Sequence, residues 1–194
     1  MGKIYYVMGK SASGKDTIYK RLVKKMPELG TVRMYTTRPI RDGETNGVEY
    51  IFTDEKQLQA MKDAGKVIEC RTYDTIYGPW SYFTADDGQI DLGSCSYLMM
   101  GTLESYEGLC KYYGAEVMVP LYIHVEDGVR LQRALNRENT QKNPKYAEMC
   151  RRFLADEKDF SEENLKRLNI TDKIVNDSVE NALREIVLRI KSGR

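Results

Sequence analysis

The segment Ile4-Tyr5-Tyr6-Val7-Met8 runs directly into Gly9-Lys10-Ser11-Ala12-Ser13-Gly14-Lys15, and this junction constrains the fold more than any other feature of the chain. A short continuous apolar run fits a strand covered on both faces, as inside a parallel sheet. After the glycines, Ile18, Leu22 and Val23 recur at helical spacing, and the pattern stops before Pro27. Strand, glycine loop and helix in this order open a nucleotide-binding α/β domain. Small side chains let successive backbone N–H groups curl around phosphate oxygens. The helix N-terminus adds partial positive charge, and Lys15 reaches the outer phosphates. The competing reading is a plain glycine turn, and the position between strand and helix argues against it.

The loop fits G-x-x-x-x-G-K, but Asp16 stands where Ser or Thr is usual, with Thr17 one position late. A hydroxyl there ligates Mg²⁺. The Asp16 carboxylate either takes over that role, directly or through water, or favours the helix N-terminus by about 0.3–1 kcal/mol. Both readings stay open.

Further along, Tyr97 to Met100 and Val117 to Val125 read as buried strands, the latter despite Pro120, and Asp172 to Val175 as a shorter one. Helical spacing predicts helices over Leu103 to Tyr112, Gly128 to Arg137, Lys145 to Asp159 and Val179 to Ile190. Strands alternating with helices predict an α/β fold with a parallel sheet flanked by helices. Residues 31–84 differ, being rich in Tyr, Thr, Arg and Gly with a helical pattern only over Glu55 to Ala64. We expect one domain, with a core of residues 1–30 and 85–194, an inserted β-rich module at 31–84, and a small polar lid at 136–145.

Charge and composition narrow the partners. Lys and Arg number 30 against 29 Asp and Glu, a net +1, so no global basic field draws the chain to nucleic acid or anionic lipid. The single histidine, His124, excludes multi-histidine zinc sites and histidine-pair acid/base systems. Cys70, Cys95, Cys110 and Cys150 form no Cys-x-x-Cys pair and fit free thiols in a reducing compartment. The apolar start is too short for a signal peptide, and no run reaches membrane-spanning length. The expectation is a cytoplasmic protein, monomer or homodimer, acting on a small molecule and not on nucleic acid or a membrane.

The most informative stretch is Tyr35-Thr36-Thr37-Arg38-Pro39-Ile40-Arg41-Asp42-Gly43-Glu44-Thr45-Asn46-Gly47-Val48-Glu49-Tyr50-Ile51-Phe52. Arg38 and Arg41 are three apart and suit one shared phosphate, because guanidinium groups make bidentate, charge-assisted bonds of about 1.5–3 kcal/mol each. Standing alone, both would read as solvated surface charges. The run resembles the guanylate kinase family, with its T-T-R-x-x-R-x-G-E-x-x-G-x-x-Y-x-F, a phosphate loop before it and E…Y-G after it, here Glu69 and Tyr77-Gly78. Asp172 to Asp177 is similar to the family's late strand.

This resemblance implies a P-loop kinase that transfers phosphate from ATP, with Mg²⁺, to GMP in purine nucleotide metabolism. Gly9 to Thr17 would hold ATP, Arg38, Arg41, Tyr50 and Tyr77 the acceptor phosphate, and Glu69 the guanine N1–H and 2-amino donors, with Tyr35 also among the acceptor-binding residues. Lys15, Arg133, Arg137 and Arg152 would surround the transferring group, Asn176 would approach adenine, and Asp16 would face the metal. Three departures touch base reading. Tyr35 stands where the family has Ser, Pro79-Trp80 follows Tyr77-Gly78 in place of Ser or Thr, and Tyr97 to Thr102 lacks the family's D-x-D. They keep two alternatives in view: a kinase of another phosphorylated acceptor such as ribose 1,5-bisphosphate, and a non-catalytic binding module on the same scaffold.

Overall fold

The computed structural model describes residues 1–75 and 77–193. Chain order is β1 (Ile4–Met8), α1 (Lys15–Lys25), β2 (Gly30–Thr31), β3 (Tyr35–Thr36), β4 (Ile51–Phe52), α2 (Glu55–Asp63), β5 (Val67–Thr75) and β6 (Gly78–Ala85). There follow β7 (Tyr97–Met100), α3 (Leu103–Tyr113), β8 (Met118–His124), α4 (Asp127–Asn139), α5 (Tyr146–Asp159), α6 (Glu162–Arg167), β9 (Ile174–Val175) and α7 (Val179–Ser192). The strands form a five-stranded sheet, order β2-β7-β1-β8-β9, and a four-stranded sheet, order β4-β3-β6-β5. The β2–β7 and β8–β9 pairs are parallel, as an α/β fold requires.

The expected strands and helices are present, with two adjustments. The strand expected from Asp172 is only Ile174–Val175, and α6 was not anticipated. A six-residue helix with one buried residue, Leu165, is too short to show a period; what starts it is Ser161, whose side chain accepts from the Asn164 N–H.

The chain falls into two compact units. The first comprises Met1–Ile4, Glu28–Leu98 and Glu104–Met118; the second comprises Tyr5–Pro27, Met99–Leu103 and the chain from Val119 onward. The first is built on the antiparallel β5–β6 pair, extended by β3 and β4. Helix α2, capped by Asp54, covers one face of this sheet. Leu58, Phe83 and Ala85 form the core there, packed by Tyr35, Met61, Val67 and Cys70. The β5–β6 register moves from Val67↔Ala85 to Glu69↔Thr84, so Ile68 is an extra residue on β5. Such a bulge re-aims the side chains beyond it. Past it, Cys70 shares the core face, while Glu69, Arg71 and Tyr73 alternate onto the other.

In the second unit β1 is buried along its whole length, and α1 turns Ile18 and Leu22 inward. Helix α7, capped by Ser178, packs on α1 and buries Leu183, Ile186 and Ile190, each contributing about 1.5–3 kcal/mol. The Tyr5 hydroxyl donates to the Ile190 carbonyl at 3.2 Å. Helices α4 and α5 pack on each other, joined by the exposed segment 140–145. No helix among the described residues is long and apolar enough to cross a membrane.

Candidate active site

The phosphate loop leaves β1 under tight steric control. A Cβ on Gly9 would lie 2.6 Å from the Ile123 carbonyl oxygen, so only glycine lets the loop depart this close to β8. Gly14 is left-handed at φ 85°, and the Ile18 N–H returns to its carbonyl at 3.1 Å, opening α1. Ala12 is also left-handed, at φ 63°. A side chain in that region costs about 1–3 kcal/mol and persists only where its surroundings enforce it.

Several groups enforce it. Asn176, buried at the end of β9, donates through Nδ2 to the Ser13 carbonyl at 2.7 Å, and its N–H donates to the His124 carbonyl at 2.9 Å. The Ser11 N–H donates to Asp156 at 2.7 Å, and Lys10 pairs with Glu157 at 2.7 Å. Arg130 is 1% exposed and donates to the Ser11 carbonyl at 3.1 Å, to Asp127 at 2.8 Å and to Glu157 at 2.6 Å. Its guanidinium lies 4.5 Å from the centre of the Phe153 ring. Two buried atoms beside the loop, Ser13 Oγ and Asn176 Oδ1, have no partner among the described residues.

The cations expected around a transferring group separate into two sets. Arg137 and Arg152 line one recess with Ser11 and Arg130, and Arg152 also donates to Ser11 Oγ at 3.3 Å. Arg133 donates instead to the Asn176 carbonyl, at 3.4 Å. Lys15 is half-buried, with Nζ 3.7 Å from the exposed Asp16 carboxylate, and Thr17 is exposed. No group of three or more His, Cys, Asp or Glu side chains suited to a metal occurs among the described residues. His124, edge-on to Tyr122 at 6.1 Å, is a packed residue.

In the first unit, the face of β5 turned away from α2 carries the other half of the prediction. Glu69, paired in register with Thr84, is buried; its carboxylate accepts from Thr84 Oγ1 at 2.7 Å and from Arg71 Nε at 3.0 Å. The Glu69–Arg71 pair is 5% exposed on each side. Gly108 of α3 makes room for it, since a Cβ there would fall 2.5 Å from Glu69 Cβ. Arg71 stands opposite Tyr82, whose ring meets Tyr50 at 5.7 Å and Tyr73 at 5.9 Å. Tyr50 in turn carries the Arg38 guanidinium at 5.5 Å from its ring centre, with Phe52 at 5.3 Å.

Arg38 is bidentate on Glu44, at 2.7 and 2.8 Å, and its buried Nε has no partner among the described residues. That hydrogen-bonded guanidinium holds the Glu44 carboxyl well below its usual range, at about 2. Arg41 is exposed, and its N–H donates to Glu44 at 2.9 Å. Tyr77 is 77% exposed and stacks on Trp80. The Tyr35 ring packs on Phe83 and its hydroxyl donates to Asp87 at 2.7 Å; burial, helped by Asp87, pushes the phenol up to about 12.

Sequence reasoning named the loop, the acceptor arginines and Glu69 but missed Arg71, Arg130, Asp156 and Glu157. The three-residue spacing of Asp127 and Arg130 was visible as a helical ion pair. Its link to Ser11, 119 positions away, was not.

Comparison with known proteins finds guanylate kinases. The family model described as guanylate kinase matches residues 1–81. A guanylate kinase of Legionella pneumophila (strain Lens) is 37% identical over 78 residues, a stretch that covers 40% of this chain and 37% of that protein's length. Another, from Salinibacter ruber, is 27% identical over 190 residues, covering 93% of this chain and 91% of the other. Among solved structures, a guanylate kinase from Anaplasma phagocytophilum shares the fold with a TM-score of 0.65 at 16% identity, over 99% of this chain and 86% of that one.

Proposed function

We propose, on the family-model match over residues 1–81 and the likeness to a guanylate kinase along most of the chain, that this is a guanylate kinase-type enzyme that transfers the γ-phosphoryl group of ATP to a nucleoside monophosphate, with GMP the preferred acceptor. The observation that carries this reading is the run of contacts Glu69–Arg71, Tyr82–Tyr50, Tyr50–Arg38 on one sheet face. It has a base-reading carboxylate at one end and a phosphate-binding guanidinium at the other. Arg38, Arg41, Tyr50 and Tyr77 grip the acceptor phosphate. Glu69 accepts from guanine N1–H and the 2-amino group, as a carboxylate facing two adjacent donors does.

At the other half, backbone N–H groups of residues 9–17 and Lys15 hold the ATP phosphates. Asn176 sets the loop behind them. An acceptor phosphate oxygen, already anionic at neutral pH, attacks the γ-phosphorus as its bond to the β–γ bridging oxygen breaks, and ADP leaves. No proton has to be removed first, so the packed His124 is not called upon. Transfer of this kind rests on positioning and positive charge, which Lys15, Arg133, Arg137 and Arg152 supply. Mg²⁺ needs only one or two carboxylates besides substrate phosphates and water, and the exposed Asp16 at the start of α1 is the oxygen donor offered there. When bound, the ion neutralises phosphate charge. Segment 136–145 serves as the lid, and the four unpaired cysteines agree with a cytoplasmic setting.

The test is ADP release from ATP–Mg²⁺ with GMP, dGMP, IMP, AMP, CMP, UMP and ribose 1,5-bisphosphate as acceptors. GMP should turn over fastest, and IMP, lacking the 2-amino donor, should fall about 10–100-fold behind. Faster turnover of any acceptor without guanine would discard guanine as the base, faster turnover of dGMP would change only the sugar, and silence with all of them would discard the kinase reading.

A further inference from the structure

Ser11 is held from both sides. Its N–H donates to Asp156 at 2.7 Å and its carbonyl accepts from Arg130 at 3.1 Å, so two consecutive peptide planes of the loop are fixed by α5 and α4. In a trans peptide the carbonyl and the following N–H point in opposite directions. Pinning the Ser11 carbonyl therefore sets the direction of the Ala12 N–H; the Ser13 N–H, donating to the Lys10 carbonyl at 3.2 Å, fixes the next plane, and the two planes together hold Ala12 at its left-handed φ. Arg130 itself has no freedom to drift, being 1% exposed, bound to Asp127 and Glu157, and packed on Phe153.

We propose that Arg130 is a positioning residue for the nucleotide: it holds the Ser11–Ala12 peptide, while Asp156 holds the Lys10–Ser11 peptide before it, so that the loop's remaining N–H donors are set before ATP arrives. This rests on the reading of residues 9–17 as the ATP site. A guanidinium is suited to the task because its fork reaches a carbonyl and two carboxylates at once. Lysine, with one ammonium on a flexible stem, reproduces only part of it.

The experiment is calorimetric titration of ATP–Mg²⁺, and separately of GMP, into the wild-type chain, Arg130→Met, Arg130→Lys and Asp156→Ala, with thermal melting of each. Arg130→Met should weaken ATP binding about tenfold or more. GMP binding, carried by groups outside this network, should change by less than about twofold. Arg130→Lys should recover part of the ATP affinity, and Asp156→Ala should weaken ATP binding several-fold. If Arg130→Met fails to fold, Asp156→Ala decides: ATP affinity equal to wild type would overturn the clamp. ATP and GMP affinities falling together in step with melting temperature would also overturn it, since that is what a purely structural arginine does. A wild-type chain that binds no ATP would sink the ATP site itself and the clamp with it, whereas normal ATP binding by a folded Arg130→Met sinks the clamp alone.

Discussion

In the loop of residues 9–17 the groups proposed to face an anion are backbone N–H donors, and the side chains around them (Asn176, Asp156 and Arg130) hold peptide planes in place. On the face of β5 and β6 the groups proposed to face a ligand are themselves side chains, and several are already engaged. Arg38 is bidentate on Glu44, and Glu69 is paired with Arg71. The loop is set in advance by its own contacts, two of its N–H groups already having partners in Asp156 and the Lys10 carbonyl. On the proposed reading, an incoming monophosphate has to share or displace the Arg38–Glu44 ion pair. Leaving one member of a buried pair alone is costly, and this would give the acceptor face a threshold.

The comparison breaks most sharply at Lys15. Replacing it by Ala should lower turnover on the order of 10³-fold, because it removes charge aimed at the transferring group. Steady-state ADP release reads this directly. A drop confined to the KM for ATP would mean that Lys15 binds ground-state phosphate only and that the loop needs no side chain for the chemistry. Arg41 probes the other half. Exposed, and hydrogen-bonded to Glu44 through its backbone N–H, Arg41 otherwise acts on that carboxylate only through its charge, so Arg41→Ala should raise the acceptor KM about 10–100-fold by loss of one charge-assisted phosphate bond. The KM for ATP should stay put. Unchanged acceptor kinetics would misplace the acceptor phosphate.

The smallest effect sharpens the contrast through pH. Glu44 in the fold sits at about 2, below the ordinary 4.5 of a glutamate, so folding favours its charged form. The stability it contributes is complete above about pH 4.5 and is lost as pH falls toward 2. Urea midpoints measured from pH 5 to pH 2 should drop less steeply for Glu44→Gln than for wild type. Parallel curves would show that the Arg38–Glu44 pair adds nothing net, and it would not be a threshold at all.

The loop half was legible because its pattern is local: β1, the glycines and the first turn of α1 are contiguous, even though the atoms that demand glycine at 9 and 14 belong to Ile123 and Asn176, far along the chain. The clamp behind the loop was not legible, since Arg130 and Asp156 reach Ser11 from two helices more than a hundred residues away. On the acceptor side, Arg38 and Arg41 announced themselves by spacing, and Glu69 by family resemblance. Arg71 did not, because which residues of β5 share a face depends on the bulge at Ile68, and a one-residue shift in register exchanges the two faces. The short α6 left no period to read.

Gly108 carries a consequence for how such a chain diverges. It lies in the middle of α3 and leaves the space that the backbone end of Glu69 fills. Adding even one carbon there forces that carboxylate, or the helix, to move. On the proposed role of Glu69, base preference could then be retuned from a helix position, and a library randomised at 108 would explore acceptor choice while keeping the identity of every residue on the binding face.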